Sequence, residues 1–293
     1  MTKFIVSSTI PFRWLHYFCQ TDPDALALST DNVSVFSKIL DDIRINGVWK
    51  RTNPARLPKT ETALVKHLDC KLKDLHVLDL GASDGSTTLD MARAFKTAGF
   101  TNVNLLLADR YLSLTKFTVG YITEYRASDG EPVLMRVGRL GIRLPKSEHD
   151  WGWLNNYIAG RYLANTTLRN AMTPVQDISL INPNIAHETT ISALEFDALQ
   201  RQPHLAGRLH ALRASNILNL EYFSTTQLRT MVGHIFTYLK DDGLFLASRN
   251  VCEAGLEGEH GTIWRKSNGC FNQLESFGAG SEITDIVTRW ESE

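Results

Sequence analysis

The sequence predicts an α/β fold: a doubly wound, mostly parallel sheet with a C-terminal antiparallel hairpin, an N-terminal helical segment and an α+β insertion. Three observations predict it. From residue 75 onward, short apolar runs alternate with amphipathic helices, which is typical of a parallel sheet covered on both faces. The stretch 111–183 is too long for an ordinary connection. Near the end, Ser267-Asn268-Gly269 separates two strand-like segments.

The N-terminal segment, residues 1–74, is predicted to be mostly helical. A first helix would end at Gly47, which is a typical C-cap residue. A second helix is predicted over 59–72, with Thr60 as its N-cap. Four apolar residues share one face of the first helix: Val33, Phe36, Leu40 and Ile43.

The main domain, residues 75–293, carries the strand pattern and is interrupted at about 111–183. Its helices are predicted over 86–99 and 224–243. Five apolar runs are the predicted parallel strands: "LHVLDLG", "NVNLLLADR", "TISALEFDAL", "LRASNILNL" and "GLFLASRNV".

The insertion at about 111–183 has its own pattern. Apolar residues alternate on both sides of "SDGEP", residues 128–132, which predicts a hairpin, and Gly138 is interpreted as a β-bulge. Beyond it, an aromatic stripe at helical spacing is interpreted as core packing or as the lining of a lid. Membrane docking is disfavoured, because few lysines or arginines flank the stripe. The stripe consists of Leu154, Tyr157, Ile158 and Tyr162.

Composition and charge narrow the classes of function. The net charge of -1 disfavours a surface built to bind nucleic acid, and a basic stretch over 49–59 is interpreted as a solvated face. Scattered cysteines suggest neither a disulfide framework nor a metal site. No apolar run approaches the ~20 residues of a membrane span, and the first 15 residues do not resemble a secretory signal. We therefore expect a cytoplasmic protein with no metal.

The stretch Asp79-Leu80-Gly81-Ala82-Ser83-Asp84-Gly85-Ser86 joins a predicted strand directly to a helix. Its glycines allow a sharp turn, and the N–H groups of the new helix would point at a ligand. The spacing is not that of a dinucleotide fingerprint or a P-loop. Two carboxylates suit a ligand with a cationic centre and no phosphate, and S-adenosylmethionine is such a ligand.

"HVLDLGASDGS" resembles the first motif of class I S-adenosylmethionine-dependent methyltransferases. The resemblance covers about 75–110 and 184–252. It implies that Asp109 binds both ribose hydroxyls and that Asp197, followed by Ala198, receives the adenine amino group. It also implies that polar residues at the end of the fourth strand face the methyl group. These are Ser215, Asn216, Asn219 and Tyr222.

A local likeness exists between "RASNILNLEYFS" and the fourth-strand region of chemotaxis-receptor glutamate methyltransferases. It implies that Asn216 touches the cofactor and that Tyr222 lies beside the acceptor. The remaining domains of that family are not evident in the sequence, so its substrate is not adopted.

The predicted function is in-line methyl transfer from S-adenosylmethionine to an unidentified acceptor, held under the insertion and the N-terminal helices. A small molecule or a protein is favoured over nucleic acid as the acceptor, and the oligomeric state is open. The alternative is an inactive cofactor-binding regulatory protein. The predicted cofactor-binding residues are Asp79, Gly81, Ala82, Ser83, Asp84, Gly85, Asp109, Arg110, Asp197, Ala198 and Asn216. The catalytic candidates are Asn216, Asn219, Glu221 and Tyr222.

Overall fold

The structure, a computed structural model, describes residues 22–29, 32–41, 43–45, 48–50, 54–138, 140–144, 152–252 and 257–290. The chain divides into two compact units. The first unit comprises Met1–Arg51 and Tyr111–Pro183, and the second comprises Thr52–Arg110 and Asn184–Glu293. The boundaries expected from the sequence, at 74/75 and at about 111–183, stay predictions.

The secondary structure alternates between helices and strands. The helices are α1 Asp24–Leu28, α2 Val33–Leu40, α3 Pro58–His67, α4 Ser86–Thr97, α5 Gly152–Leu163, α6 Thr166–Asn170, α7 Thr225–Tyr238 and α8 Thr284–Thr288. The strands are β1 Arg44–Ile45, β2 Val48–Trp49, β3 Leu75–Leu80, β4 Val103–Asp109, β5 Ser113–Val119, β6 Ile122–Ala127, β7 Pro132–Val137, β8 Leu140–Arg143, β9 Thr173–Ser179, β10 Ile191–Glu195, β11 Leu209–Ser215, β12 Leu239–Val251, β13 Gly258–Ser267 and β14 Cys270–Phe277.

The second unit is built on a seven-stranded sheet in the order β10-β4-β3-β11-β12-β13-β14. The first five strands are parallel, and β13 and β14 add on in antiparallel orientation. The five apolar runs of the sequence thus form one parallel array, which confirms a mixed α/β fold. Because the strands are parallel, their carboxyl ends share one edge of the sheet.

Helices pack on both faces of this sheet because side chains of a strand alternate between faces. Leu78 and Leu80 of β3 join an apolar cluster that contains the buried stripe of α7. This stripe consists of Leu228, Met231, Val232, Ile235, Phe236 and Tyr238. Asp79, between the two leucines of β3, meets Thr88 of α4 on the opposite face, and α3 packs beside α4.

The start of α3 differs from the prediction. The helix begins at Pro58, and Thr60 lies inside it instead of capping it. The N–H groups of Lys59 and Thr60 donate to the Glu259 carboxylate at 2.8 and 2.6 Å. A carboxylate from β13 therefore satisfies helix donors that a local cap would otherwise satisfy.

The first unit contains a five-stranded antiparallel sheet in the order β8-β7-β6-β5-β9. The predicted hairpin at 128–132 is confirmed as the connection of β6 to β7. The interpretation of Gly138 as a bulge was wrong: Val137 pairs with Leu140, so Gly138, at φ +60°, lies in a turn between two strands.

The N-terminal helix prediction also needs correction. α2 ends at Leu40, and the chain then forms β1 and β2 on either side of Asn46-Gly47, a dipeptide that favours hairpin turns. Gly47, expected as a C-cap, lies outside the described residues and well beyond the end of the helix.

The aromatic stripe of the insertion divides between core and surface. Leu154 and Ile158 of α5 pack against an apolar cluster that includes the buried Tyr162. Tyr157 is 63% exposed. Core packing therefore accounts for three of the four residues.

Candidate functional site

The loop between β3 and α4 is held in an unusual backbone conformation. Gly81, Ser83 and Gly85 have φ values of +71°, +58° and +83°, in the left-handed region that glycine adopts at least cost. The N–H groups of Gly81 and Ala82 donate to the carbonyl of Ala108 at 2.8 and 3.2 Å. The predicted strand–turn–helix is confirmed, and the loop is tied to the end of β4.

Both glycines of this loop are also required by the packing of neighbouring side chains. A Cβ atom at Gly85 would stand 2.2 Å from Leu107 Cδ1 and 2.6 Å from Ile185 Cδ1. At Gly81 it would stand 2.8 Å from Ile217 Cβ. The glycines therefore indicate a tightly packed loop, and by themselves they do not indicate a ligand.

Asp79 does not carry an uncompensated charge. It is directly opposite Arg213 in the register of β3 and β11, and both residues are buried. Arg213 Nε lies 2.8 Å from Asp79 Oδ1 and Nη2 lies 2.5 Å from Oδ2, a bidentate ion pair. Thr88 Oγ1 donates to Asp79 Oδ2 at 2.6 Å. The expectation that both acids of the loop face a cationic ligand is thus corrected for Asp79.

Asp84 is fully buried and accepts hydrogen bonds from the first residue of α4. Its carboxylate accepts from the Ser86 N–H at 2.9 Å and from Ser86 Oγ at 2.8 Å. A carboxylate at a helix N-terminus is stabilised by the free N–H groups and by the helix dipole. Asp84 therefore has partners within the chain that organise the loop itself.

Asp109 lies beside the loop at the end of β4. Its Oδ2 accepts from the Ser83 N–H at 2.8 Å, which joins the second predicted acid to the glycine-containing loop. Asp109 is partly exposed, and the adjacent Arg110 is exposed. A carboxylate at this position can accept further hydrogen bonds from a ligand.

Asp197 and Ala198 follow β10, the third parallel strand. β10 pairs directly with β4, and the Phe196 N–H donates to the Asp109 carbonyl at 2.8 Å. Asp197 Oδ1 accepts from the Leu199 N–H at 3.0 Å, so one oxygen stabilises a local turn. Asp197 and Asp109 thus lie at the ends of neighbouring strands.

Asn216 follows β11, the fourth parallel strand, and adopts φ +60°. Its Oδ1 accepts from the Asn250 N–H at 2.7 Å. Its Nδ2 is buried and makes no hydrogen bond with any described residue. Ser215 and Ser248 hydroxyls are 2.8 Å apart. The Asn216 amide can therefore donate one more hydrogen bond.

The other catalytic candidates lie in the segment that follows β11. Asn219 Oδ1 accepts from the Tyr222 N–H at 2.9 Å, and Glu221 and Tyr222 are exposed. A cavity of about 10 Å³ beside Asn216 has room for about one water molecule. Its lining consists of Asn216, Ile217, Leu218, Asn219, Ser248, Arg249, Ser281 and Glu282.

The basic stretch over 49–59 is not uniformly solvated, contrary to the prediction. Lys50 is buried, and its Nζ donates to the Tyr111 carbonyl at 2.7 Å within the first unit. Arg56 is only partly exposed. Burial lowers the pKa of the Arg56 guanidinium, Arg213 lowers it further, and Asp84 and Asp79 act in the opposite direction.

Glu61 of α3 is a largely buried acid, with a side chain that is 15% exposed, and sequence reasoning missed it. Its Oε1 lies 3.9 Å from Arg213 Nη1, and neither atom has a hydrogen-bond partner among the described residues. Burial raises the pKa of Glu61 from 4.5 to about 7, although Arg213 lowers it. Glu61 is thus less acidic when folded than when unfolded.

We expect Glu61→Gln to remove a pH dependence of stability. Since the pKa of Glu61 is higher in the folded state, the folded state binds more protons between pH 4.5 and 7, and stability falls as the pH rises through that window. The free energy of unfolding of the variant should equal that of the wild type near pH 4. At pH 8 it should be higher than that of the wild type, by roughly 3 kcal/mol at most. Urea unfolding at several pH values measures this difference.

Glu188→Gln, at an exposed position, is the control. The difference between its free energy of unfolding and that of the wild type should not change with pH. An equally flat difference for Glu61→Gln would contradict the burial of this carboxyl group.

Among the residues that the structure describes, no group of three or more histidine, cysteine, aspartate or glutamate side chains is arranged to hold a metal ion. No helix in the same residues has both the length and the apolar character needed to cross a membrane.

Comparisons with known proteins concern the fold. No protein-family model and no curated protein matches the chain. The solved structures that it resembles include the CMeT domain of the citrinin polyketide synthase, with 15% identity over 67% of this chain and 35% of that chain and a TM-score of 0.35. They also include the S-adenosylmethionine-dependent methyltransferase SibL, with 12% identity over 67% and 37% and a TM-score of 0.32.

A further resemblance is to an O-methyltransferase family protein from Burkholderia thailandensis, with 12% identity over 80% of this chain and 46% of that chain and a TM-score of 0.33. The chain thus spans less than half the length of these three proteins. Likeness at these values assigns no activity, cofactor or acceptor to this chain. The local likeness to chemotaxis-receptor glutamate methyltransferases stays a prediction.

Proposed function

We propose that this protein is an S-adenosylmethionine-dependent methyltransferase. One observation carries the proposal: the loop 81–85, Asp109 and Asp197 lie at or just after the carboxyl ends of three adjacent parallel strands, β3, β4 and β10. Ligands of open α/β sheets bind outside the carboxyl ends of the strands. The residues that the sequence motif assigns to the cofactor therefore share one edge, and Asp109 is hydrogen bonded to the loop.

The chemistry of these residues fits the proposed cofactor at two points. The partly exposed Asp109 carboxylate can accept from two ribose hydroxyls, and Asp197, of which one oxygen accepts from a backbone N–H, can accept from the adenine amino group. Asp79 does not fit as a counter-charge for the positively charged cofactor, because it already forms an ion pair with Arg213. We assign Asp79 to positioning of the strand end and Asp109 to direct contact.

The proposed reaction is an in-line displacement. The cofactor supplies a methyl group bonded to a positively charged sulfur. The protein's contribution is to orient the acceptor and to exclude water, and orientation can contribute up to about 7–11 kcal/mol to rate acceleration. A carboxylate acceptor needs no base, whereas an amine or hydroxyl acceptor must lose a proton, for which Glu221 and Tyr222 are the candidates. The cytoplasmic location and an acceptor other than nucleic acid remain part of this proposal.

A second candidate function is binding of the same cofactor without turnover. The segment after β11 favours this function, because its catalytic candidates have structural or exposed positions. Asn219 stabilises a turn, and Glu221 and Tyr222 are exposed. The adjacent cavity has a volume of only about 10 Å³. Transfer of tritium from methyl-labelled S-adenosylmethionine into fractionated cell extract distinguishes the two. Incorporation supports the enzyme, and cofactor binding without incorporation into any fraction supports the regulator.

We expect Asp109→Ala to weaken binding of S-adenosylmethionine at least tenfold. The variant loses a charged acceptor for two ribose hydroxyls, and hydrogen bonds to charged groups contribute about 1.5–3 kcal/mol each. Equilibrium dialysis with labelled cofactor measures the change in Kd.

Asp241→Ala, at a 97% exposed side chain, is the matched control and should bind like the wild type. An affinity of Asp109→Ala within about twofold of wild type, worth less than ~0.5 kcal/mol, would remove Asp109 from the site.

A further inference from the structure

Two buried polar atoms beside the carboxyl end of β11 have no hydrogen-bond partner among the residues that the structure describes. They are Asn216 Nδ2 and Glu282 Oε1. Both residues line the cavity of about 10 Å³, which has room for about one water molecule. The amide nitrogen is a donor and the carboxylate oxygen is an acceptor. Since unpaired buried groups are costly, the cavity suggests a group that both accepts and donates a hydrogen bond.

The amide of Asn216 has a fixed orientation. Its Oδ1 faces the Asn250 N–H at 2.7 Å, and a backbone N–H can only donate, so the atom without a partner is the Nδ2 donor. The cavity also adjoins the glycine-containing loop, because Ile217 lines it and a Cβ atom at Gly81 would stand 2.8 Å from Ile217 Cβ. The cavity therefore lies beside the loop that we assign to the cofactor.

Glu282 reaches this edge of the sheet from the segment that follows β14. β12 and β14 run in the same direction because both are antiparallel to β13, so this segment begins at the carboxyl edge. The N–H groups of Ala279 and Ser281 donate to side chains of β13 at 2.6 and 3.0 Å. Arg249 Nη1 lies 3.2 Å from Glu282 Oε2. Arg249 thus engages one carboxylate oxygen and leaves Oε1 as an acceptor.

A hydroxyl group matches this pair of atoms. It has one donor hydrogen and two lone pairs, so its oxygen can accept from Asn216 Nδ2, donate to Glu282 Oε1 and keep one lone pair for attack on a methyl group. A neutral amine would give its single lone pair to Asn216, and an ammonium group has no lone pair. A carboxylate has no hydrogen for Glu282 and would be repelled by its charge.

We propose that the methyl acceptor is a hydroxyl group bound in this cavity and that Glu282 is its general base. This inference rests on the proposed function and assigns the substrate class. The hydroxyl oxygen bonds to the methyl carbon as the bond from that carbon to sulfur breaks. The electron pair of the broken bond stays on sulfur, which becomes neutral, and the hydroxyl proton passes to Glu282 Oε1.

The test combines the rate of transfer, the chemical linkage of the product and the affinity for the cofactor. Tritium transfer from methyl-labelled S-adenosylmethionine into fractionated cell extract is followed at saturating cofactor. The proteins are the wild type, Glu282→Gln, Asn216→Asp and the control Glu188→Gln at an exposed position. A methyl ether resists alkali and releases methyl iodide with hydriodic acid, a methyl ester releases methanol in alkali, and a methylated amine resists both under the same conditions. Calorimetric titration with S-adenosylhomocysteine measures binding without an acceptor.

We expect the wild-type product to be a methyl ether. Glu282→Gln should slow transfer at least about a hundredfold, the effect of losing a general base, and should leave the Kd of S-adenosylhomocysteine within about twofold. Asn216→Asp keeps the acceptor for the Asn250 N–H and replaces the donor, so it should slow transfer about tenfold or more. Glu188→Gln should change neither quantity. If Glu282→Gln fails to fold, the linkage and Asn216→Asp decide.

Three results would overturn the inference while the proposed function stands. The first is a methyl ester or a methylated amine as the wild-type product. The second is transfer by Glu282→Gln at about the wild-type rate, which would show that the cavity holds only water. The third is a loss of S-adenosylhomocysteine affinity in Glu282→Gln as large as its loss of rate, which would show a structural role. If the wild type transfers no label to any fraction, the proposed function and this inference fail together.

Discussion

Substituting Arg213 with methionine should lower the free energy of unfolding by about 3–5 kcal/mol, because it leaves the carboxylate of Asp79 buried without its partner. Arg213 is completely buried and Asp79 is 2% exposed. Burial alone would lower the pKa of Arg213, but Asp79 together with Glu61 and Asp90 outweighs it, and the pKa is raised. Thr88 would remain as a hydrogen-bond donor to Asp79, which does not replace a positive charge. Urea unfolding at pH 7, followed by circular dichroism, measures the loss.

A double-mutant cycle separates the ion pair from packing. Asp79→Leu combined with Arg213→Met replaces both charges by apolar groups, and it should recover most of the loss. Arg249→Met is the control, because Arg249 and Glu282 form a partly exposed pair at 3.2 Å that should contribute at most ~1 kcal/mol. If Arg213→Met lowers the free energy of unfolding no more than Arg249→Met does, the result would contradict a stabilising ion pair between Arg213 and Asp79.

Gly85→Ala is expected to cost about 2–5 kcal/mol, the sum of a left-handed backbone penalty and overpacking. The backbone has φ +83°, and the new Cβ would overlap Leu107 and Ile185. Either the side chains or the loop 81–85 would have to move, so the variant should also lose cofactor affinity. The change in unfolding free energy is measured by urea titration, and the Kd by equilibrium dialysis.

Gly99→Ala isolates the backbone part of this cost. Gly99 has φ +88° and no heavy atom of the described residues within 4 Å of a Cβ placed there, so its substitution should cost only about 1–2 kcal/mol. In a Leu107→Ala background the cost of Gly85→Ala should fall by at least ~1 kcal/mol, as contacting sites couple. Equal costs at the two glycines would contradict the close packing at Gly85.

The fold of the second unit was predictable because its signals are local. The five apolar runs, the turn residues around 81–85 and the stripe of α7 are each contained in fewer than 20 consecutive residues. Asp242 has φ +62°, a left-handed conformation that aspartate tolerates better than most residues. That Asp109 ends the strand next to the loop was implied by the resemblance to class I methyltransferases and not by a local pattern.

What the sequence did not predict depends on partners distant in the chain. Arg213 lies inside an apolar strand, and only the register of β11 against β3 brings it opposite Asp79. A single charged residue in each of two buried strands was a signal for this pair. Glu259 reaches the start of α3 from about 200 positions away, and no local pattern indicates it. The N-terminal helix was extended too far because Ile43 continues the helical spacing of apolar residues beyond Leu40, where the helix ends.

The most direct test of the central claim is calorimetric titration of the wild-type protein with S-adenosylmethionine and with S-adenosylhomocysteine. We predict one saturable site for each nucleoside per chain. The absence of binding heat with both, up to millimolar ligand and at two temperatures, would contradict the account.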